Sequence, residues 1–399
     1  MSAKMEQESQ PPEFGQQSES ENPDVQGEIV FESENPTDIE MGLFASIDRR
    51  CPLLAEPRKT VLNSDKGKIA EIDQIREFET PEAGHPDLWL IVDFDDVLSH
   101  TTEENKEFQE ILSGETAIPV EKLKKLYEAA KIETPEGKKV FRFSEFTKLV
   151  KSETGDSGSI EAAVKKVDHK KYVDQAVKRA IIASRFGQNI GFSYSSPTTV
   201  RVSILTYGDV EYQRARIEAS GISEVADEII YTEGSKREVI EGMLARDYPE
   251  TNLVQLAMGK QTDAPFTITF DDSPEQVRDL SGLREPQEYL NVRFRHPQAK
   301  RFRKKTPKGK EVVVAEETSS NQAAFDMFTI AMMATSPESK QILSPNSVYD
   351  YQKDRKERER ILKSWGYNLD KKDDPEPEGG KTFRGPQDAW VLKKFIIGG

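Results

Sequence analysis

Cysteine and histidine are scarce in this chain of 399 residues, which has one cysteine and four histidines. The single cysteine, Cys51, excludes an internal disulfide and fits a reducing compartment. The histidines are scattered and lack the spacing of a zinc site; they are His85, His100, His169 and His296. No apolar run approaches the length that crosses a membrane, and the acidic N-terminus is unlike a signal peptide. We therefore expect a cytoplasmic protein without membrane contact.

Positive charge is also in short supply, because 71 Asp and Glu against 56 Lys and Arg give a net charge of −15. An acidic chain is not expected to bind nucleic acid in general, although a local basic patch can still bind phosphate. Hydrophobic residues make up 35% of the chain, a low fraction that predicts some disorder. Residues 1–40 contain eleven acids and one base. We interpret them as a disordered acidic tail, which either only solvates the chain or docks a protein partner.

Apolar periodicity predicts the fold class of the remainder. The run LWLIV at 88–92 is typical of a buried strand, and it ends at a cluster of acids. Amphipathic helical patterns fill 102–195, and strand patterns then alternate with helical ones up to YLNVRFR at 289–295. Such alternation predicts an α/β fold with a doubly wound parallel sheet that is covered on both faces and carries an inserted helical cap.

Composition and pattern together divide the chain into five predicted units. Within the second unit, the segments MGLFASI and IAEIDQIREF have helical periodicity. The units are the disordered tail at 1–40, an N-terminal extension at 41–86, a core at 87–101 and 196–295, a helical cap at 102–195, and a basic segment with a C-terminal helical extension at 296–399.

Several predicted strands end in polar residues that can do chemistry, and a lysine opens one of the helices between them. These residues are Asp93 and Asp95 in LIVDFDD, Thr206 in SILTYGD, Lys236 in EGSKREVI, and Asp271 and Asp272 in TITFDDS. Sites in doubly wound sheets form outside the carboxyl ends of the strands, so these side chains are expected to converge on one edge. Each one alone has a structural explanation, such as a turn, a cap or a solvated helix residue. Their common order favours a shared site.

This ordered set resembles the motifs of the haloacid dehalogenase (HAD) superfamily of phosphatases and phosphotransferases. The first motif, a strand followed by D-x-D-x-[TV], is matched by DFDDV at 93–97. The second, a strand ending in Ser or Thr, is matched by Thr206, and the third, a lysine at a helix start, by Lys236. The fourth, a strand ending in paired acids, is matched by Asp271 and Asp272. The resemblance covers residues 87–295.

The resemblance implies a Mg²⁺-dependent phosphohydrolase that forms an aspartyl-phosphate. Asp93 would be the nucleophile, and Asp95 would protonate the leaving oxygen and later activate water. The metal would be held by the Asp93 carboxylate, the Asp95 backbone carbonyl and Asp271.

The other matched residues have supporting roles in the same resemblance. Thr206 would hydrogen-bond a phosphoryl oxygen, and Lys236 would neutralise phosphoryl charge and restrain Asp93. Asp272 would orient a metal-bound water or a neighbouring residue and would not bind the metal directly. Asp96 is interpreted as a turn residue.

The predicted cap lies between the first and second motifs. In this family a cap at that position closes over the site, which favours small or medium phosphorylated substrates and excludes water. His100 and Thr101 are placed where the chain leaves the core for the cap. We interpret them as a hinge or a hydrogen-bonded turn.

Two further interpretations are open at this point. Residues 291–310 contain nine Lys or Arg and no acid, which is typical of an exposed loop that balances the acidic tail. The same segment would also fit a nucleotide or nucleic-acid-end phosphatase. Alternatively, the chain is a non-catalytic scaffold that keeps the fold and binds protein partners. An intact set of acids and lysine favours the enzyme.

Overall fold

The computed structural model describes most of the region predicted as core and cap. The described residues are 30–31, 51–65, 67–77, 88–133, 139–155, 158–187, 200–248, 265–280, 283 and 289–293, and beyond residue 300 the short pieces 303–305, 311–313, 324, 327–328, 330–331, 348–349 and 381–382.

Strands and helices alternate over residues 200–293, as in an α/β protein, and a mainly helical segment separates this part from the strand at residues 88–92. The strands are β1 Val30–Phe31, β2 Leu53–Ser64, β3 Gly67–Arg76, β4 Leu88–Val92, β5 Lys131–Glu133, β6 Lys139–Phe141, β7 Val200–Tyr207, β8 Glu228–Thr232, β9 Phe266–Asp271, β10 Tyr289–Arg293, β11 Arg303–Lys305, β12 Glu311–Val313, β13 Val348–Tyr349 and β14 Lys381–Thr382. The α-helices are α1 Thr101–Thr116, α2 Val120–Ala129, α3 Phe143–Thr154, α4 Gly158–Lys166, α5 Gln175–Gly187, α6 Val210–Ser220, α7 Lys236–Asp247 and α8 Pro274–Leu280. Two 3₁₀ turns span His169–Tyr172 and Ile222–Val225.

The central sheet has eight strands in the order β13-β10-β9-β4-β7-β8-β3-β2. The six strands from β13 to β8 pair in parallel, and β3 and β2 are added antiparallel at one edge. From β4 the chain continues to β7 and β8 on one side, and then to β9 and β10 on the other. The predicted doubly wound parallel sheet is therefore confirmed, and its topological switch point lies beside β4.

The central strand β4 shows why this sheet forms. All five of its residues are buried, because successive side chains point to opposite faces and both faces are covered. Leu88, Leu90 and Val92 join the apolar cluster that includes α5. Trp89 and Ile91 join the cluster that includes α7. A continuous apolar run is thus what a strand buried on both faces needs.

The cap is a small helical unit with a core of its own. Helices α1 to α4 enclose apolar side chains that include Phe108, Leu123 and Phe146. The short hairpin of β5 and β6 was not predicted within this helical segment. Helix α5 contributes Val177 and Ile181 to the cluster on the sheet. The predicted cap boundary at residue 195 lies outside the described residues and stays a prediction.

The prediction of helical character for IAEIDQIREF is wrong, because residues 67–76 form strand β3. Its isoleucines recur every three residues, which imitates a helix. The backbone of β8 needs a partner on that edge, however, and β3 supplies one from Glu71 to Gln74. Tertiary pairing therefore overrides the local pattern.

Other predicted segments cannot be compared with the structure. The segment MGLFASI lies outside the described residues, as do most of the acidic tail, of the basic segment and of the C-terminal helical extension. In contrast, five helical residues between 324 and 331 are buried against the main core; they are Ala324, Met327, Phe328, Ile330 and Ala331.

Candidate active site

The carboxyl ends of three adjacent strands bring the predicted site residues together. In the sheet register, Val92 at the end of β4 lies between Ile204 of β7 and Phe270 of β9. Asp93, the next residue, donates its backbone N–H to the carbonyl of Phe270 at 2.9 Å. Thr206 and Asp271 follow Ile204 and Phe270 on the flanking strands, so the three polar residues emerge at the switch point.

Lys236 joins two of these acids from the N-terminus of α7. Its Nζ lies 2.9 Å from Asp93 Oδ1 and 2.7 Å from Asp271 Oδ2. All three side chains are buried. Burial alone would lower the pKa of Lys236, but the attraction of Asp271 and Asp93 outweighs it and raises that pKa. The lysine is therefore protonated throughout the physiological range.

The N-terminus of α7 is positioned by two hydrogen bonds of Ser235, the residue before the lysine. Ser235 accepts the backbone N–H of Glu238 at 3.3 Å, which makes it the N-cap. The Ser235 hydroxyl also donates to Asp279 of α8 at 2.7 Å. Because α8 follows β9, this contact fixes the start of α7 relative to Asp271.

The acids at this edge form a set that can hold a divalent cation. Asp93, Asp271 and Asp272 can each offer a carboxylate oxygen, and these atoms lie within 4.8 Å of one another. Carboxylate oxygens are the hard ligands that Mg²⁺ prefers. Three carboxylates face one lysine, so a doubly charged cation would balance them. The residues present therefore fit a magnesium ion.

The raised pKa values of the acids also indicate that this cluster suits a cation. Burial raises the pKa of Asp93 well above its ordinary value, and Asp271 and Asp272 add to the effect although Lys236 opposes it. Burial and the neighbouring Asp271 and Asp96 raise the pKa of Asp272 to about 7. Additional positive charge at this position would favour the ionised carboxylates.

Thr206 presents a hydroxyl in the same region. Its side chain is 1% exposed, and Oγ1 has no hydrogen-bond partner among the residues that the structure describes. Buried hydroxyls are normally hydrogen-bonded, because an unsatisfied one costs free energy. An orphaned donor beside the acid cluster is suited to bind an oxygen of a ligand.

Asp95 faces a different set of partners from Asp93. Its Oδ1 accepts hydrogen bonds from Arg216 Nη1 and Thr101 Oγ1, both at 2.7 Å, and its Oδ2 accepts one from Gln213 Nε2 at 2.7 Å. The three carboxylates of the cation-sized cluster are those of Asp93, Asp271 and Asp272, although the sequence predicted only a supporting role for Asp272. Ligation by the Asp95 backbone carbonyl stays a prediction.

The turn after Asp95 matches its predicted interpretation as local structure. Asp96 has a φ of 54°, a left-handed conformation that aspartate tolerates better than most residues. Its Oδ1 accepts the backbone N–H of Thr101, the first residue of α1, at 3.1 Å. Thr101 thus contacts both Asp95 and Asp96 at the point where the chain enters the cap. Where the chain returns to the core, Asp174 Oδ2 lies 3.8 Å from Nε2 of His100.

The cap also contacts the core through residues just before α3 and at its start. Arg142, just before α3, forms an ion pair with Glu233 in the loop that leads to Lys236. The backbone N–H of Phe143 donates to Asp209 Oδ2 at 3.1 Å. Asp209 also caps α6 through the N–H of Tyr212. Tyr127 and Phe141 of the cap stack at 4.2 Å near this contact with Tyr212.

Several of these polar residues were missed at the sequence level. Gln213 and Arg216 lie on the inward face of α6 together with Tyr212 and Ile217, and all four are buried. Their spacing of three and four residues places polar side chains where an amphipathic helix has apolar ones. That conflict was a usable signal. Arg142 and Glu233 carried no such signal, because their contact exists only in the folded chain.

Solved structures with a similar fold are HAD-like hydrolases. One is a haloacid dehalogenase-like hydrolase from Burkholderia xenovorans, with 14% identity and a TM-score of 0.37 over 52% of this chain and 84% of the other. A second is a HAD-hydrolase from Bacillus subtilis bound to magnesium, with 15% identity and a TM-score of 0.35 over 57% and 92%. A third, from Xanthomonas campestris, has 14% identity and a TM-score of 0.33 over 65% and 96%.

Comparisons with family models and with curated proteins find no match. In the described part of the chain no helix is long and apolar enough to cross a membrane. The sheet order and the side-chain contacts define the class: an α/β protein with a doubly wound sheet, an inserted helical segment and a buried carboxylate–lysine cluster at its switch point.

Proposed function

We propose that this protein is a Mg²⁺-dependent phosphohydrolase of HAD type, which cleaves a phosphate monoester through an aspartyl-phosphate. The observation that carries the proposal is Lys236, which bridges Asp93 and Asp271 in a buried position at the sheet's switch point. A buried lysine between two acids is a usual structural ion pair when nothing else is near. Here a third carboxylate lies within 4.8 Å of the other two, and the neighbouring strand β7 ends with the unpartnered Thr206 hydroxyl. Both observations favour a site for an anionic ligand with a cation.

Asp93 is the proposed nucleophile. Its Oδ1 is engaged by Lys236 and by the backbone N–H of Phe94 at 2.8 Å, which restrains the carboxylate. Oδ2 attacks phosphorus, a bond forms between them, and the bond from phosphorus to the leaving oxygen breaks. A magnesium ion bound by Asp93, Asp271 and Asp272 would supply charge neutralisation, which lets one anion approach another.

Asp95 is the proposed acid and base. In the first step its carboxyl proton passes to the leaving oxygen, so the alcohol departs neutral. In the second step water attacks phosphorus, gives its proton to the Asp95 carboxylate, and releases Asp93 and inorganic phosphate. Thr206 Oγ1 donates to a phosphoryl oxygen, and Lys236 offsets the phosphoryl charge.

The cap favours a small or medium phosphorylated substrate. Its contacts with the core through Arg142 and Phe143 support a cap that closes over the site on the side where the leaving group would depart. A covered site excludes bulk water and strengthens the electrostatic contacts inside it.

The test is hydrolysis of p-nitrophenyl phosphate and acetyl phosphate by the purified full chain with Mg²⁺. We expect turnover, its loss with EDTA, and a decrease of about 10³-fold or more in Asp93→Asn, which removes the nucleophile. The matched control is Asp96→Asn, because asparagine keeps the acceptor for Thr101 and tolerates the positive φ. It should stay within a few-fold of wild type.

Two outcomes would contradict this mechanism. Activity that survives Asp93→Asn would show that another group attacks phosphorus. A wild-type protein that turns over no phosphoester in the presence of Mg²⁺ would favour the non-catalytic scaffold instead.

A further inference from the structure

Arg216 of α6 is one of the most deeply buried cations in the described part of the chain, with 1% of its surface exposed. Its guanidinium lies over the rings of Phe94, at 5.0 Å, and Tyr212, at 5.5 Å. Taking such a cation out of water is costly unless every N–H group finds an acceptor. The positions of those acceptors therefore indicate what the side chain is for.

The guanidinium divides its hydrogen bonds between two acids. Nη1 donates to Asp95 Oδ1 at 2.7 Å, and also to Gln213 Oε1 at 3.0 Å. Nε and Nη2 donate to the two oxygens of Glu104, at 3.1 and 2.5 Å. Nη2 reaches Thr101 Oγ1 as well, at 3.1 Å. One planar fork thus connects the proposed acid/base residue with a second carboxylate.

The Asp95 carboxylate is held on both oxygens by this group. Arg216 and Thr101 donate to Oδ1, and Gln213 donates to Oδ2. Gln213 can approach because Gly208 has no side chain: a Cβ there would lie 3.2 Å from Gln213 Nε2. Three donors in fixed positions leave the carboxylate little rotational freedom, which is what a proton-transfer group requires.

Glu104 connects the same group to the base of the cap. It lies on α1, and its Oε1 is 2.5 Å from Nδ1 of His169 in the 3₁₀ turn through which the chain returns. His169 Nε2 contacts the carbonyl of Val164 at 2.9 Å. The segment that enters the cap and the segment that returns from it are also hydrogen-bonded to each other. The backbone N–H of His100 donates to the carbonyl of Tyr172 at 2.9 Å.

We propose that Arg216 is a positioning residue, which orients Asp95 for proton transfer and, through Glu104 and His169, sets that orientation relative to the cap. The proposal rests on the proposed phosphohydrolase function. A buried arginine paired with acids that only hold the fold together would be structural, whatever their number. Here the fork spans one acid in the proposed active site and one at the cap base, and a lysine ammonium cannot reproduce that geometry.

The test compares variants across aryl phosphates whose leaving phenols differ in acidity. A weakly acidic phenol needs a proton from Asp95 as it leaves, whereas p-nitrophenol needs little help. Arg216→Met should therefore lower kcat/KM by about 10-fold or more for phenyl phosphate and by less than about 3-fold for p-nitrophenyl phosphate. Asp95→Asn should show the same steeper dependence on the leaving group.

The matched control is Arg214→Met on the same helix. Arg214 is also paired with two acids, Asp73 and Glu71, and lies over the Tyr231 ring at 4.8 Å, but these partners belong to β3 and β8. Its loss should destabilise the protein without altering the relative rates of the substrates. Thermal unfolding of each variant measures that structural contribution separately.

Two milder variants keep the test decisive if Arg216→Met does not fold. Arg216→Lys retains the buried charge but not the fork, and Gln213→Met removes the amide that joins Arg216 to Asp95. Both should steepen the leaving-group dependence, by less than Arg216→Met. Equal losses for all substrates in these variants, or a dependence in Arg214→Met as steep as theirs, would overturn the positioning role.

The two proposals fail in different ways. A wild type without turnover, or an active Asp93→Asn, would overturn the function and with it the role of Arg216. An active, Asp93-dependent enzyme whose leaving-group dependence is unchanged in the Arg216 and Gln213 variants would overturn the positioning role alone.

Discussion

The Thr206 hydroxyl is a stability cost that the site tolerates. It is buried at the end of β7 and has no partner within the described residues. An unsatisfied buried hydroxyl costs on the order of 1–3 kcal/mol. Such groups persist where a function needs them, because stability and activity make opposing demands on a site.

We expect Thr206→Val to separate those two demands. The change keeps the shape and removes the hydroxyl, so the free energy of unfolding should stay level or rise, by up to about 1 kcal/mol. Phosphatase kcat/KM should decrease by about 10- to 100-fold, because a hydrogen bond to the phosphoryl group is lost. Urea unfolding and steady-state kinetics measure the two quantities. Thr206→Ser, which keeps the hydroxyl, is the control, and a valine variant with full activity would rule out the contact.

At the scale of elements, one polar contact between the cap and the core lies in the loop that precedes Lys236. Arg142 before α3 pairs with Glu233 before α7, and both side chains are partly exposed, at 28% and 35%. Ion pairs in such positions contribute little, about 0–1 kcal/mol. Under the proposed function the cap would open for substrate and product, and a weak contact of this kind would suit that motion.

Reversing one charge of this pair should therefore change binding more than folding. Arg142→Glu places two acids together and is expected to raise KM by about 3- to 5-fold, with a small effect on the melting temperature. The double variant Arg142→Glu/Glu233→Arg restores opposite charges and should return KM toward wild type. If the double variant is no better than the single one, the ion pair does not hold the cap, and high salt should likewise leave KM unchanged.

At the scale of the whole molecule, Glu104 joins the cap and the core. Burial opposes its ionisation, but the hydrogen bond from His169 and the Arg216 guanidinium outweigh burial and lower the pKa of Glu104 from 4.5 to about 2. A carboxyl whose pKa is lower in the folded state than in the unfolded state stabilises the fold once it is ionised. This contribution is present above about pH 4.5 and is lost as the pH falls toward about 2.

The corresponding prediction concerns Glu104→Gln. At pH 7 the variant should be less stable than wild type, by up to about 3 kcal/mol, and the difference should shrink as the pH is lowered from about 5 to about 3. Urea unfolding at a series of pH values measures it. Glu110→Gln, an exposed residue of the same helix paired with Lys106 at 3.8 Å, is the control and should change stability by less than about 0.5 kcal/mol. A Glu104 effect independent of pH would contradict the assigned ionisation.

Most residues of the carboxylate–lysine cluster could be predicted, because they lie at the ends of strands that the sequence itself shows. Asp93, Thr206 and Asp271 each follow an apolar strand, and the parallel sheet brings such ends together. Lys236 was recognisable by its place at a helix start after a strand. The tertiary contacts of Asp95 were not predictable, since its partners Gln213 and Arg216 are more than a hundred residues away: their spacing on α6 signals an unusual inward face but not which acid they bind.

The edge of the sheet shows the same limit. Residues 67–76 have isoleucines at a spacing that fits a helix, yet they form β3 beside β8. Arg214 then binds Asp73 and Glu71 from α6. The sequence of residues 67–76 alone indicates neither the edge of β8 that β3 pairs with nor the arginine that binds its acids.

The amino-acid sequence by itself determined the α/β class, the insertion of a cap after the first acidic strand end, and the edge at which the acids and the lysine meet. Periodicity and strand order carry that information, because burial on both faces of a sheet leaves a direct pattern in the chain. Only the tertiary structure decided that Asp272 joins the cation-sized cluster and that Asp95 is held by Arg216, because side-chain contacts across distant elements depend on how helices pack and not on any local pattern.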